Sequence, residues 1–371
     1  MRKRLLVTGF LAAALVSQVA RADNYVSDQA AALLVYPTVL SVPGLYDTVI
    51  QMSNTSTNLA AVQCYYVDTV GTCSVSGTAC LPAFGQACPE ATDLCIPTWV
   101  ETDFRIYITG RQPLAWTASE GLTSSDLPLN GTSFVGPSGS NAGTRVPPFA
   151  GSDGIAIGEL KCYVINGDGT PSDQNVLKGE ATFVNTNDAD AAKYSALGFR
   201  AIAGANNEDN QLVLGGDGAE YDGCPEVLIL NHFFDFAENP ADDSQEFGTI
   251  LALVPCTQNF LTQVPTSVTA QYLVFNEFEQ RFSTSAPVDC FFASPLSLID
   301  TTDPERSIFS VFVSGTIAGQ TRIRGVSGGL IGAALEFSSD TVSFTPSGGT
   351  DAFNLHYQGM RDTSDVVTVV Q

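Results

Sequence analysis

The sequence predicts an all-β protein built from antiparallel sandwiches or barrels. Three observations lead there. Short runs rich in Val, Ile, Thr, Tyr and Phe recur between clusters of Gly, Pro, Asn, Asp and Ser, the pattern of strands and turns. No amphipathic stretch long enough for a stable helix follows the N-terminal region. Apolar residues make up 44% of the chain and charged residues 15%, enough to bury a core and too little charge for a disordered chain.

Taken in order, the chain opens with Arg2, Lys3 and Arg4 before an apolar run from Leu5 to Val16, which is too short to span a bilayer. Ala20-Arg21-Ala22 follows as a small-residue cleavage site, so residues 1–22 read as a secretory signal peptide. Cleavage leaves 349 of 371 residues, a length suited to about two domains. It also removes four basic residues, so that 12 basic face 39 acidic ones and the formal net charge moves from −23 to −27. The expected destination is periplasmic, cell-surface or extracellular, where the nine cysteines can oxidise. The longest uncharged run, Phe247 to Asn276, contains Pro255 and Pro265 and reads as strands, so no membrane span is expected after cleavage.

Strands are expected at 33–40, 48–53, 61–67, 104–109, 157–165, 176–184 and 194–202. Later ones are expected at 227–230, 250–254, 268–275, 288–292, 308–314, 321–324 and 353–357. Phe104, Ile106 and Ile108 alternate with Arg105 and Tyr107, as a half-buried antiparallel strand requires. Asn166-Gly167-Asp168-Gly169 reads as a hairpin turn.

A cysteine cassette interrupts this pattern. Cys73, Cys80, Cys88 and Cys95 fall at steps of 7, 8 and 7 in a stretch with little strand character. Structural zinc sites place cysteines closer together, and no C-x-x-C occurs, so the cassette reads as a loop insertion stapled by local disulfides. The simplest pairing is Cys73–Cys80 and Cys88–Cys95. Cys64 and Cys162 share a Cys-Tyr strand context and could bridge two strands, leaving Cys224, Cys256 and Cys290 to compete for one bridge. The unpaired thiol is then expected among these five, where it could form an intermolecular bond.

Two halves of the chain match each other. Phe104–Gly110 parallels Phe309–Gly315, Cys64-Tyr65-Tyr66 parallels Cys290-Phe291-Phe292, and Thr48–Gln51 loosely parallels Val268–Gln271. The expected account is one strand unit used twice, with the cassette at 73–95 inserted in the first copy. The segment containing Asp47, Thr48, Ile50, Asn54, Thr55 and Ser56, with Ala352–Gly359 near the C-terminus, resembles immunoglobulin-like β-sandwich modules of secreted bacterial proteins. The resemblance implies two tandem immunoglobulin-like sandwiches, over 23–215 and 216–371, and carries no catalytic residues.

Few residues suggest chemistry. Gly325-Val326-Ser327-Gly328-Gly329 matches the G-x-S-x-G of hydrolases, with Asp340, Asp351 and His356 after it, but the parallel sheet and helices of a nucleophile elbow are missing. His232 and Asp235 could pair as acid and base, yet no third partner is evident. From Ala201 to Gln280 there are 13 Asp/Glu and no Lys or Arg. Within that stretch Asp217, Glu220 and Asp222 occupy a Gly-rich loop of the kind that holds calcium. Asn166, Asp168 and Thr170 begin like an EF-hand loop, but Pro171 and Leu177 replace its glycine and glutamate. Trp99 and Trp116 could stack on carbohydrate. Asn54 and Asn130 head glycosylation sequons. The strong negative charge argues against nucleic acid as a partner. The sequence therefore predicts a secreted, non-enzymatic structural, surface or adhesion-type protein with protein or cell-surface partners. A calcium-dependent or carbohydrate-binding module is the alternative, and a hydrolase using Ser327 is third.

Overall fold

The computed structural model describes residues 28–80, 88, 93, 95–122, 145–149, 151, 154–185, 190–205, 209–340 and 350–370. The signal peptide expected at 1–22 and the sequon at Asn130 lie outside these residues.

The regular secondary structure of the described residues is almost entirely β. Strands β1 (Leu33–Val42), β2 (Tyr46–Asn54), β3 (Ala60–Cys73), β4 (Ala79–Cys80), β5 (Cys95–Ile108), β6 (Pro113–Thr117), β7 (Ala156–Ile165), β8 (Leu177–Asn185), β9 (Ala191–Ser195) and β10 (Leu197–Phe199) make one sheet. Its spine runs β4-β3-β7-β1-β2-β8-β9, with β5 on β3, β6 on β2 and β10 on β1. The rest of the chain adds β11 (Gln211–Leu214), β12 (Pro225–Phe233), β13 (Ala237–Asn239), β14 (Asp242–Pro255), β15 (Gln258–Asn259), β16 (Ser267–Asn276), β17 (Arg281–Asp289), β18 (Phe292–Pro295), helix α1 (Val311–Ser314), β19 (Ala318–Gly325), β20 (Leu330–Asp340), β21 (Thr350–Asn354), β22 (His356–Met360) and β23 (Asp365–Thr368). These strands form a middle sheet, β13-β14-β20-β21 with β18 on β14, and an outer sheet, β17-β16-β19-β12-β22. A small sheet, β11-β23-β15, holds the C-terminus. Among the described strands only β15 and β23 pair in parallel.

The middle sheet is buried on both faces. Along β14, Ala252 and Val254 belong to the core shared with the first sheet, whereas Leu251 and Leu253 belong to the core shared with the outer sheet. Along β20, Ile331, Ala333 and Leu335 face the first core and Leu330 and Ala334 the second. Side chains alternate across a strand, so a strand with a core on each side must be apolar at every position. That requirement is met by the unbroken run Ile250–Val254. The result is three β layers with two cores.

Backbone hydrogen bonds and strand pairing cross the expected boundary at 215/216. Leu214 bridges Tyr221, and Asp222 N donates to Arg200 O at 2.9 Å. Strand β23 returns from the C-terminus to pair with β11, and Val369 N donates to Asn210 O at 2.9 Å. The first core accordingly contains residues from both sides of the boundary, from Ala31 to Val369.

Two expected strands are replaced. Within Phe309–Gly315 the chain forms α1 rather than a strand: Ser310 Oγ accepts from Phe312 N at 3.2 Å as the N-cap, and Gly315 closes the turn in the left-handed region at φ 69°. Only Phe309 of its aromatic pair is buried, while Phe312 is exposed. The segment at 288–292 is a kink, because Cys290 adopts φ 62° between β17 and β18. The internal match therefore fails at two of its three sites, since Phe104–Ile108 and Cys64–Tyr66 lie in the continuous strands β5 and β3. Thr48–Gln51 and Val268–Gln271 are both strands.

The cassette pairing is also corrected. Cys73 bonds Cys88, not Cys80, with Cα atoms 5.8 Å apart. In the β3–β4 hairpin Cys80 lies opposite Gly71, while Cys73 N donates to Thr78 O, so Cys73 and Cys80 are out of register. This pairing overturns both expected bridges, Cys73–Cys80 and Cys88–Cys95. Cys80 is itself disulfide-bonded. Asp93 pins the hairpin turn by accepting from Val75 N at 2.7 Å and Ser76 N at 2.9 Å. Elsewhere Cys64–Cys162 and Cys224–Cys256 form, and the buried Cys290 is free, among the five cysteines expected to include the unpaired thiol.

Candidate functional site

Most residues marked by sequence as chemical candidates are used by the fold itself. Glu220 is buried and its Oε2 accepts from Val213 N at 3.1 Å; Asp222 is buried and its Oδ2 accepts from Arg200 N at 3.2 Å. Asp217 is exposed, and its carbonyl accepts from Ser364 Oγ at 3.2 Å. The loop that carries them enters through Gly215 and Gly216, both at φ 65°. A Cβ on Gly216 would lie 2.4 Å from Ser364 Oγ, so the glycines serve a close approach to the C-terminal segment. The three carboxylates are not among the described side chains gathered closely enough to share an ion. The two groups that are, Cys73/Cys80/Cys88 and Cys224/Cys256/Asp365, are built on disulfide-bonded sulfurs.

Ser327 lies in the turn joining β19 to β20. Its glycine neighbours are demanded by packing: a Cβ on Gly325 would meet Gly328 O at 2.0 Å, and one on Gly329 would meet Asp365 Oδ2 at 2.6 Å and Cys224 Cβ at 2.7 Å. His356 is an exposed residue of β22, in register with Ile229 and, one strand further, Arg322, five residues before Ser327. The serine and histidine are thus separated both across and along the sheet. Trp116 is fully buried and donates from Nε1 to Tyr66 OH at 2.7 Å. Trp99 is buried against Phe260 with ring centroids 5.5 Å apart. Neither indole offers a free face for a sugar. Asn54 is also buried, with Nδ2 donating to Ile108 O at 2.9 Å and Asn58 O at 2.7 Å.

The surface carries an open groove of about 720 Å³ on the outer sheet, lined by Gln271, Ser283, Ser285, Arg322 and Arg324 among others. Arg324 pairs with Glu226, and Arg322 donates to Gln358 Oε1.

The densest chemistry is internal. Strand β7 runs between β1 and β3 and places Glu159, Lys161 and Tyr163 on one face. All three are buried, and Lys161 is 2% exposed and Glu159 0%. Lys161 Nζ pairs with Glu159 Oε2 at 2.9 Å and contacts Pro255 O at 3.4 Å. Gln258, at the start of β15 and 0% exposed, closes the cluster. Its Oε1 accepts from Lys161 Nζ, and its Nε2 donates to Glu159 Oε1 and, at 3.1 Å, to Cys290 O. Burial lowers the affinity of Lys161 for its proton and raises that of Glu159, against their mutual attraction, so both are driven toward the uncharged pair. Burial likewise pushes the Cys290 thiol up to about 12. Sequence reading passed over this cluster. Its one local signal was an acidic and a basic residue two apart in an otherwise apolar strand.

No protein-family model matches the chain, and no curated protein matches it significantly.

Proposed function

We propose that the chain is a secreted, non-enzymatic structural or adhesion-type surface protein that presents its outer sheets to protein or cell-surface partners. In this reading its two sandwiches are of the immunoglobulin-like kind and share the middle sheet. The observation that carries the proposal is the packing of both halves against each other, with the first of the two cores drawing residues from Ala31 to Val369 and disulfides in each half. Disulfides of this kind persist in oxidising compartments, and among the described residues no helix is long and apolar enough to cross a membrane. Glu220, Asp222, Asn54 and Trp116 serve packing and backbone capping. The test is to express the tagged full chain, fractionate the cells and treat intact cells with protease. Recovery outside the cytoplasm, in surface-accessible complexes or polymers, supports the proposal. Retention of the uncleaved chain in the cytoplasm, or labelling of Ser327 by a fluorophosphonate, overturns it.

A further inference from the structure

The buried cluster on β7 has the composition of a condensation site. An amine, a carboxyl group and a primary amide meet where water is excluded: Lys161, Glu159 and Gln258 are all at most 2% exposed. Lysine is scarce in this chain, occurring at positions 3, 161, 178 and 193. Lys178 reaches Asp28 O and Lys193 pairs with Glu180 at the surface, so Lys161 alone of the described lysines is buried. Long charged side chains are almost never fully buried without a specific partner. The partner here includes an amide carbonyl, Gln258 Oε1, to which Lys161 Nζ donates directly.

We propose that Lys161 and Gln258 join in an intramolecular isopeptide bond, with Glu159 transferring the proton and ammonia leaving. The geometry divides the step cleanly. The lone pair of Lys161 Nζ attacks Gln258 Cδ and forms the new C–N bond. Glu159 Oε2, 2.9 Å from Nζ, takes the proton that nitrogen sheds. Glu159 Oε1, which accepts from Gln258 Nε2, returns a proton to that departing nitrogen. The Cδ–Nε2 bond breaks, one ammonia is released, and Glu159 ends as it began. No electrons are gained or lost, so neither oxidant nor reductant is required. Cys290 O, accepting from Nε2 at 3.1 Å, holds the amide plane in place. The drive of burial toward a neutral amine and a neutral acid favours the same step, because only the free amine is nucleophilic. The bond would lock β7 of the first sheet to β15 of the small C-terminal sheet. It stands independently of the surface role proposed above.

The experiment is the mass of the full chain purified from an expressing cell, after reduction and alkylation, followed by peptide mapping. The expected result is a deficit of one ammonia against the sequence mass and a branched peptide joining the Lys161 and Gln258 segments. In Glu159→Gln and Lys161→Arg, checked for folding by circular dichroism, the full mass should return. Cys290→Ser should keep the deficit. A wild-type chain at its full sequence mass overturns the proposal whatever the variants do. So does a deficit that survives Lys161→Arg but is lost in Cys290→Ser, which would mark a thioester between Cys290 and Gln258.

Discussion

His232 and Asp235, three residues apart, bond in different directions: His232 Nε2 meets Thr321 Oγ1 at 2.9 Å, while the Asp235 carboxylate accepts from Thr249 N at 3.0 Å and Ser297 N at 2.8 Å. Both are buried, and burial drives each toward its neutral form. It lowers His232 from 6.5 to about 4, although the Phe233 carbonyl opposes this. It raises Asp235 from 3.8 to about 6, against the hydrogen bonds from Ser297 and Thr249. They are two separate structural groups rather than an acid–base pair.

Their effects on stability have opposite signs. Asp235 has a raised folded pKa, so its contribution is present below 3.8 and is lost as pH rises through about 6. His232 has a depressed one, so its contribution is present above 6.5 and is lost as pH falls toward about 4. Each spans roughly 3 kcal/mol, and between about pH 4 and 6 they offset one another. Asp235→Asn should therefore gain stability relative to wild type as pH rises across that window, and His232→Gln should lose it. Urea denaturation at a series of pH values measures both; variant curves parallel to wild type would refute the assignment.

Cys64 and Cys162 are direct register partners across β3 and β7, and their bridge closes a separation of 98 residues. A loop of that length favours the folded state by up to about 4–5 kcal/mol through the unfolded chain's lost entropy. The double variant Cys64→Ala/Cys162→Ala should lower the free energy of unfolding by about 2–5 kcal/mol in urea titration. A change below the error of the titration would place the stabilisation elsewhere.

The contrast between what was legible in the sequence and what was not has a physical origin. Alternation at Phe104–Ile108 was readable because β5 has one wet face: Phe104, Ile106 and Ile108 are buried, and Arg105 and Tyr107 are exposed. Ile250–Val254 was readable as a strand, but burial on both faces erases the period of two that would say which residue faces which core. The third layer was therefore invisible. At 308–314 the apolar letters suggested a strand, while Ser310 and Gly315, the cap residues that fix α1, were the better signal. Glu159 and Lys161 were locally conspicuous, yet their partner Gln258 lies 97 residues from Lys161, a distance no local pattern bridges.

Asn54 belongs to a sequon yet is 1% exposed, and its amide bonds Ile108 O and Asn58 O while its Oδ1 accepts from Ser56 N at 2.9 Å. Asn54→Ala strands these groups and should cost about 2–3 kcal/mol. In a glycosylating host the folded chain should carry no glycan at this site. Glycopeptide mapping and thermal melts check the two halves of this expectation; a glycan on Asn54 in folded protein contradicts the burial.

Cys290 is buried and its thiol is pushed up to about 12, chiefly by that burial. Thiolate is the reactive species, so native Cys290 should be inert. Ellman's reagent should leave it unmodified in native buffer and react once denaturant unfolds the chain. A reducible dimer through Cys290 in native protein would contradict this geometry.

Glu101 accepts from Trp99 Nε1 at 3.0 Å. Burial raises its carboxyl to about 7, with the indole hydrogen bond opposing and the Asp103 charge assisting. The folded chain thus prefers Glu101 protonated, and its contribution to stability is lost as pH rises through about 7. Ionisation places a full charge against the indole, so Trp99 emission should titrate with a midpoint near that pH. Trp116, bonded to the neutral Tyr66 hydroxyl, supplies a constant background. Glu101→Gln should flatten the titration while leaving the emission of the acidic form unchanged. A wild-type profile flat from pH 5 to 9, roughly two units either side of that midpoint, would show that Glu101 stays in one protonation state across the range.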